Sequence, residues 1–202
     1  MSGPASGSAP RRASLLRQTK ETRIEASLDL TPGEVKVSTG IGFLDHLLSS
    51  LAFHGGFSLS LNCEGDLAVD DHHSAEDCGL VLGDLVRQAL GDRSGIRRFA
   101  SAYAPLDEAL ARAVVDISGR PFCRADLKLT RESVGTLACE NIPHVVTSFV
   151  TRAGITAHLE VLYGDNDHHK AEAAFKALAL ALREAWSPSG IGGVPSAKGV
   201  LG

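Results

Sequence analysis

The sequence predicts an α+β protein made by tandem duplication of a βαβα-type unit, and three patterns carry that expectation. Asp-His-His-x-Ala-Glu occurs twice, at 71–76 and at 167–172, 96 positions apart. A second block, Leu-Asp-His-Leu-Leu-Ser-Ser-Leu at 44–51, lines up with Ile-Pro-His-Val-Val-Thr-Ser-Phe at 142–149, an offset of 98. One two-residue deletion between the blocks reconciles the offsets. Around both blocks, apolar residues at every second position give way to apolar residues three and four apart, the spacings of a strand face and a helix face.

The elements follow in order. Thr22, Ile24, Ala26 and Leu28 alternate as a strand, with Glu21 at its start. Thr31-Pro32-Gly33 turns the chain, and 34–39 returns as a second strand. A helix is expected over 43–54, closed by Gly55-Gly56, then a strand over 57–63. Asp71 suits the N-cap of the next helix, where Cys78, Leu82, Leu85, Val86 and Ala89 form an apolar stripe ending near Gly91. The second half adds strands near 97–104, 111–117 and 122–127. A helix around 141–152, a strand over 155–162 and a helix over 168–186 complete it, the last with Phe175, Leu178, Leu182 and Ala185 inward. This divides the chain into a flexible tail (1–16), two half-repeats (17–95 and 96–186) and a Gly- and Pro-rich C-terminal segment (187–202).

Composition narrows the function. Apolar residues are 44% and charged residues 22% of the 202, the balance of a globular protein. No apolar run approaches the roughly 20 residues of a membrane span, so no membrane partner is expected. The net charge of −4 offers no basic face for a nucleic-acid partner. Cys63, Cys78, Cys123 and Cys139 form no C-x-x-C pair, which argues for reduced, buried thiols in a cytoplasmic protein.

The duplicated motif carries the chemistry. Residues four apart share a helix face, so His72 and Glu76 can grip one ion, and so can His168 and Glu172. His73 and His169 sit about 100° further round and point to different partners. With His46 and His144, six imidazoles and two carboxylates are candidate metal ligands, enough for two ions at four protein ligands each. Imidazole and carboxylate without thiolate suit Mn, Fe, Co, Ni or Zn. Arg97, Arg98, Arg120, Ser196 and Lys198 offer guanidinium forks, an ammonium and a hydroxyl fit for phosphate oxygens. Read from residues alone, a two-metal phosphate-ester hydrolase and a non-catalytic metal-binding oligomer both stay open. Phosphate release would mark the first, and absence of turnover the second.

Gly42-Phe-Leu-Asp-His46, Asp70-Asp-His-His-Ser-Ala-Glu76-Asp77 and Asp167-His-His-Lys-Ala-Glu172 are similar to the motifs of the imidazoleglycerol-phosphate dehydratase family in its monofunctional form. Thr19-Lys-Glu-Thr22 and Ser118-Gly-Arg-Pro121 fit as well, and the resemblance runs from about Arg17 to the C-terminus. It implies a duplicated fold similar to the second domain of ribosomal protein S5. It also implies a large homo-oligomer built from trimers, with two manganese ions per active site lying between subunits. The implied reaction dehydrates a small phosphate substrate, D-erythro-imidazole glycerol phosphate, to imidazole acetol phosphate in histidine biosynthesis. By position Glu21 matches the family's proton-transfer carboxylate, and Lys176 lies beside the site as a second catalytic candidate. Arg98, Arg120, Ser196 and Lys198 match its phosphate contacts, and His54 a substrate-side histidine. His46, His72, Glu76 and His168 serve both metal and substrate. The remaining ligands are His73, His144, His169 and Glu172.

Overall fold

The computed structural model of the chain describes residues 11–190, 192–199 and 201. The first unit runs β1 (Arg12–Gln18), β2 (Thr22–Asp29), β3 (Val35–Ser38), α1 (Gly42–Gly55), β4 (Ser58–Gly65) and α2 (His72–Leu90). The second runs β5 (Phe99–Leu106), β6 (Ala109–Asp116), β7 (Phe122–Asp126), α3 (Asn141–Ala153), β10 (Thr156–Tyr163) and α4 (Asp167–Ala185). A small hairpin of β8 (Ser133–Val134) and β9 (Leu137–Ala138) is inserted before α3. The sheets have the same plan, β1-β2-β4-β3 and β5-β6-β10-β7. In each, three strands are antiparallel, and the strand before the first helix lies parallel to the one after it.

The α+β class and the duplication are as expected, but the repeated unit is βββαβα rather than βαβα. The extra strand of the first unit was hidden in the expected tail. Of that tail, 1–10 lies outside the described residues, whereas Arg12 to Leu16 belong to β1. Basic residues obscure the alternation there, yet Ala13 and Leu15 pair with Leu28 and Ala26 and turn to the helices. Arg17, next on that face, reaches Asp77 of α2 at 2.8 Å. Glu21 stands in the β1–β2 turn instead of the strand, because Gln18–Arg23 is the last strand pair and the Thr19 hydroxyl accepts the Glu21 and Thr22 N–H groups.

Each sheet buries one face under its own helices, and the helices of the two units pack on one another, α1 on α4 and α2 on α3. Along β2 the inward residues Thr22, Ile24, Ala26 and Leu28 are buried while Glu25 and Ser27 face out. The α2–α3 approach is set by Gly79 and Gly83. A Cβ at Gly79 would meet the Val145 carbonyl oxygen at 2.7 Å, and one at Gly83 the Phe149 carbonyl oxygen at 2.5 Å. Glycine costs a helix interior roughly 0.5–1 kcal/mol relative to alanine; here backbone proximity requires it.

The first Asp of each duplicated motif holds the long connection before α3. Asp71 occupies the expected N-cap position but does not cap: its Oδ2 accepts the Ala138 N–H at 2.7 Å, and Asp70 takes the His72 N–H at 2.8 Å. Asp167 accepts the N–H groups of Thr130 (2.8 Å) and Arg131 (2.6 Å), with Asn166 as the cap. Asp167 and Lys170 are buried together as an ion pair, and the Lys170 ammonium donates to the Lys128 carbonyl. Burial pushes the Asp167 carboxyl up, but Lys170 and the two backbone donors prevail and hold it at about 2.

Two outcomes are expected. Gly83→Val should lower thermal stability by about 1–3 kcal/mol through overpacking, seen as a fall in Tm. Because the folded carboxyl of Asp167 titrates near 2 against an ordinary 3.8, its stabilisation is complete above about pH 4 and lost as pH falls toward 2. Denaturant titrations of Asp167→Asn should therefore show lower stability at pH 7 and a shallower decline between pH 4 and 2.

Candidate metal centres

The crossed helix pairing builds two clusters of the same composition. His46 on α1 meets His168 and Glu172 on α4, and His144 on α3 meets His72 and Glu76 on α2. Each cluster thus takes its lone histidine from one unit and its His-x-x-x-Glu pair from the other. In the first, Glu172 Oε2 lies 2.9 Å from His46 Nε2 and 3.3 Å from His168 Nε2. In the second, Glu76 lies 3.6 Å from His72 Nε2 and 3.7 Å from His144 Nε2, and the two rings stack at 5.0 Å. His72 stands beside Glu76, and His168 beside Glu172, as their four-residue helical spacing requires.

The surroundings prepare the donor atoms. Asn141 Oδ1 accepts from His72 Nδ1 at 3.0 Å, which leaves the Nε2 lone pair facing Glu76. His144 Nε2 is buried without a hydrogen-bond partner among the described residues, an arrangement a cation would complete. Phe43 packs its ring 4.8 Å from that of His168. Burial raises the Glu172 carboxyl, but Lys176 at 2.7 Å and His46 outweigh it and hold the group at about 2, so it is anionic at neutral pH. Two imidazoles and a carboxylate in each cluster fit a borderline or hard divalent ion.

His73 and His169 lie outside both clusters. The Asp66 carboxylate accepts from His73 Nδ1 at 3.0 Å, and Glu108 accepts from His169 Nδ1 at 2.7 Å. These bonds raise the pKa of both rings. Glu108 is itself lowered to about 2, first by the Asn166 N–H and then by His169. Glu21 Oε1 stands 3.8 Å from His73 Nε2. His54 shares a surface hollow with His46, Ser49, Ser50, Phe53 and Glu172; burial, then the Lys176 charge, lowers its pKa.

The expected phosphate contacts gather elsewhere. Arg98 holds Asp116 through two bonds of 2.7 and 3.2 Å, and its third nitrogen donates to the Pro195 carbonyl, next to Ser196. Arg120 reaches Asp116 at 4.0 Å, and the Lys198 N–H donates to Ser196 Oγ. Arg97 is turned away onto Glu184. The Arg98 N–H donates to the carbonyl of Ala185, the last residue of α4, whereas His168 and Glu172 are at its start. Thirteen residues separate Glu172 from Ala185, about 20 Å at 1.5 Å per residue. The described residues of one chain therefore do not bring the phosphate group of residues to the α1–α4 cluster.

Sequence reasoning missed Asn141, Asp66, Glu108 and Asp116. Only Glu108 left a usable trace: it stands immediately before β6 as Glu21 stands immediately before β2.

The comparisons with known proteins agree with this geometry. Residues 39–182 match the family model described as imidazoleglycerol-phosphate dehydratase. A Phaffia rhodozyma protein of that name is 55% identical over 95% of this chain and 96% of its own length. The crystal structure of the Staphylococcus aureus enzyme superposes with a TM-score of 0.81 at 36% identity, covering 88% of this chain and 99% of that one. The Pyrococcus furiosus structure, in complex with (S)-C348, gives 0.81 at 35% identity, covering 93% and 100%. With two clusters of the same composition at equivalent places in a duplicated fold, and relatives alike over nearly their whole length, the chain belongs to the imidazoleglycerol-phosphate dehydratase family.

Proposed function

We propose that the two His-His-Glu clusters are the metal sites at which this hydro-lyase of histidine biosynthesis dehydrates D-erythro-imidazole glycerol phosphate to imidazole acetol phosphate. The observation that carries the reading is that both clusters draw ligands from both units, with His72 oriented by Asn141 and His144 Nε2 buried without a hydrogen-bond partner among the described residues. Manganese is the proposed occupant, two ions per active site, although the same ligands accept other divalent metals. When bound, the ions supply Lewis-acid stabilisation of negative charge on the substrate imidazole and a template for its orientation.

The protein's own groups do the rest. The substrate proton to be removed is not beside a carbonyl, so the imidazole ring is the electron sink available to it. Glu21, half-exposed and with the His73 ring near it at 3.8 Å, takes the carbon-bound proton. The hydroxyl leaves the neighbouring carbon with one proton, as water, the proton taken up by Glu21 balancing the one delivered, and the resulting enol tautomerises to the ketone. Lys176, fixed on Glu172, and His54 flank the first cluster. Arg98, Arg120, Ser196 and Lys198 receive the phosphate.

Those phosphate groups lie about 20 Å along α4 from Glu172, farther than a three-carbon chain between imidazole and phosphate extends. This separation supports a homo-oligomer built from trimers in which each site is completed by a second copy, with His73 and His169 presented outward as the remaining ligands. Four free cysteines, three of them buried, support a cytoplasmic setting.

Removal of metal with a chelator should abolish formation of the ketone product, and added manganese should restore it without release of inorganic phosphate. Phosphate release would mean a hydrolase; no product in a metal-loaded, assembled sample would reject the dehydratase reading. Glu21→Gln should reduce kcat by at least about a hundredfold, the scale of general acid–base catalysis, with metal content and assembly unchanged. A near-normal kcat would remove Glu21 from the chemistry.

A further inference from the structure

The two hairpin carboxylates before β2 and β6 are structural equivalents with different partners. The pairings fix the correspondence. Glu21 directly precedes β2, whose Thr22 to Asp29 pair with β4, and Glu108 directly precedes β6, whose pairing with β10 repeats that plan. In the first unit the histidine beside the cluster, His73, is held through Nδ1 by Asp66, which follows β4, so the hairpin carboxylate Glu21 makes only a 3.8 Å approach to His73 Nε2. In the second unit the connection after β10 supplies backbone instead. Asp165 and Asn166 donate their N–H groups to Glu108 Oε1 at 3.2 and 2.9 Å, and Glu108 Oε2 accepts from His169 Nδ1 at 2.7 Å.

We infer that Glu108 is a positioning residue for the metal site, locking His169 in the tautomer whose Nε2 lone pair faces outward for a cation, while its counterpart Glu21 is left free for chemistry. The inference rests on the reading of His169 as a metal ligand. Three observations carry it. The bond is short, and it comes from a carboxylate whose other oxygen is already committed to two backbone donors, so the acceptor cannot swing away. A proton on Nδ1 leaves Nε2 as the donor atom, the arrangement usual for a metal-bound histidine whose other nitrogen is held by a carboxylate. Finally, the unit that obtains this service from Asp66 is the one whose hairpin glutamate stays free. The same position has been divided between two tasks within one duplicated fold.

The test is a manganese titration of the metal-stripped, full-length protein, with free Mn²⁺ read by its electron paramagnetic resonance signal. The samples are wild type, Glu108→Gln, His169→Ala and the double variant. Loss of such an outer partner typically costs 10–100-fold in metal affinity, so Glu108→Gln should weaken binding at least about tenfold. His169→Ala should weaken it by more. The double variant should bind as His169→Ala alone, because the carboxylate acts only through the ring. A purely structural role would instead give additive losses, and additivity overturns the inference. So does Glu108→Gln binding within about twofold of wild type while His169→Ala is impaired. Unimpaired binding by His169→Ala would overturn it one step earlier, by removing His169 from the ligands. Glu108→Gln keeps the size and an acceptor oxygen; Asp66→Asn, the same change on the His73 side, serves as the second variant and should also lose about tenfold.

Discussion

Everything that matters chemically in this molecule hangs on the packing of α1 against α4 and of α2 against α3. Neither unit can assemble a cluster by itself, since each holds a lone histidine on its first helix and a His-x-x-x-Glu pair on its second, and these go to different partners. The apolar contact that closes the core therefore also sets the ligand geometry. This explains the demand for glycine at Gly79 and Gly83, where the α2 backbone must come within van der Waals distance of α3 carbonyls. Any widening there would separate His144 from Glu76, and a carboxylate–imidazole pair that shares an ion tolerates little displacement.

Around that packing the acidic residues divide into distinct tasks. Glu76 and Glu172 face the clusters, Asp71 and Asp167 hold the connection before α3 through its backbone N–H groups, and Asp66 and Glu108 hold ring nitrogens. Asp116 does the same for Arg98, which ties the C-terminal segment at Pro195 to the second sheet. A carboxylate that accepts several donors is kept ionised, and Glu108, Asp167 and Glu172 at about 2 are the result. The charges are thus fixed before any ligand arrives, so little reorganisation is left for binding.

The duplication is close in backbone and loose in detail. Sheet order, strand direction and helix placement repeat, yet Asp71 binds one N–H and Asp167 binds two, Ser74 of the first motif is replaced by the buried Lys170 in the second, and only the second unit carries the β8–β9 hairpin. Asp71 reaches across to Ala138 of the other unit, whereas Asp167 and Lys170 hold residues 128–131 of their own, because the connection before α3 must be tied from both sides. The hairpin glutamates are the instance with the largest chemical consequence.

Much of the site was legible in the sequence. Period and repetition located eleven of the fourteen helices and strands among the described residues to within a few residues and selected all six cluster residues, because a helix face and a strand face are properties of local spacing. The α+β class, the pairing of His72 with Glu76 and of His168 with Glu172, and the family resemblance were set at that level. β1 was not, because its arginines mask a two-residue apolar alternation that acquires meaning only opposite Ala26 and Leu28. Nor was the assignment of His46 to α4 and His144 to α2, nor the roles of Asn141, Asp66 and Glu108, since these are contacts between residues as much as 126 positions apart with no common spacing. Spacing along the chain determined which side chains share a face; which faces meet was decided only by how two apolar units bury themselves against each other.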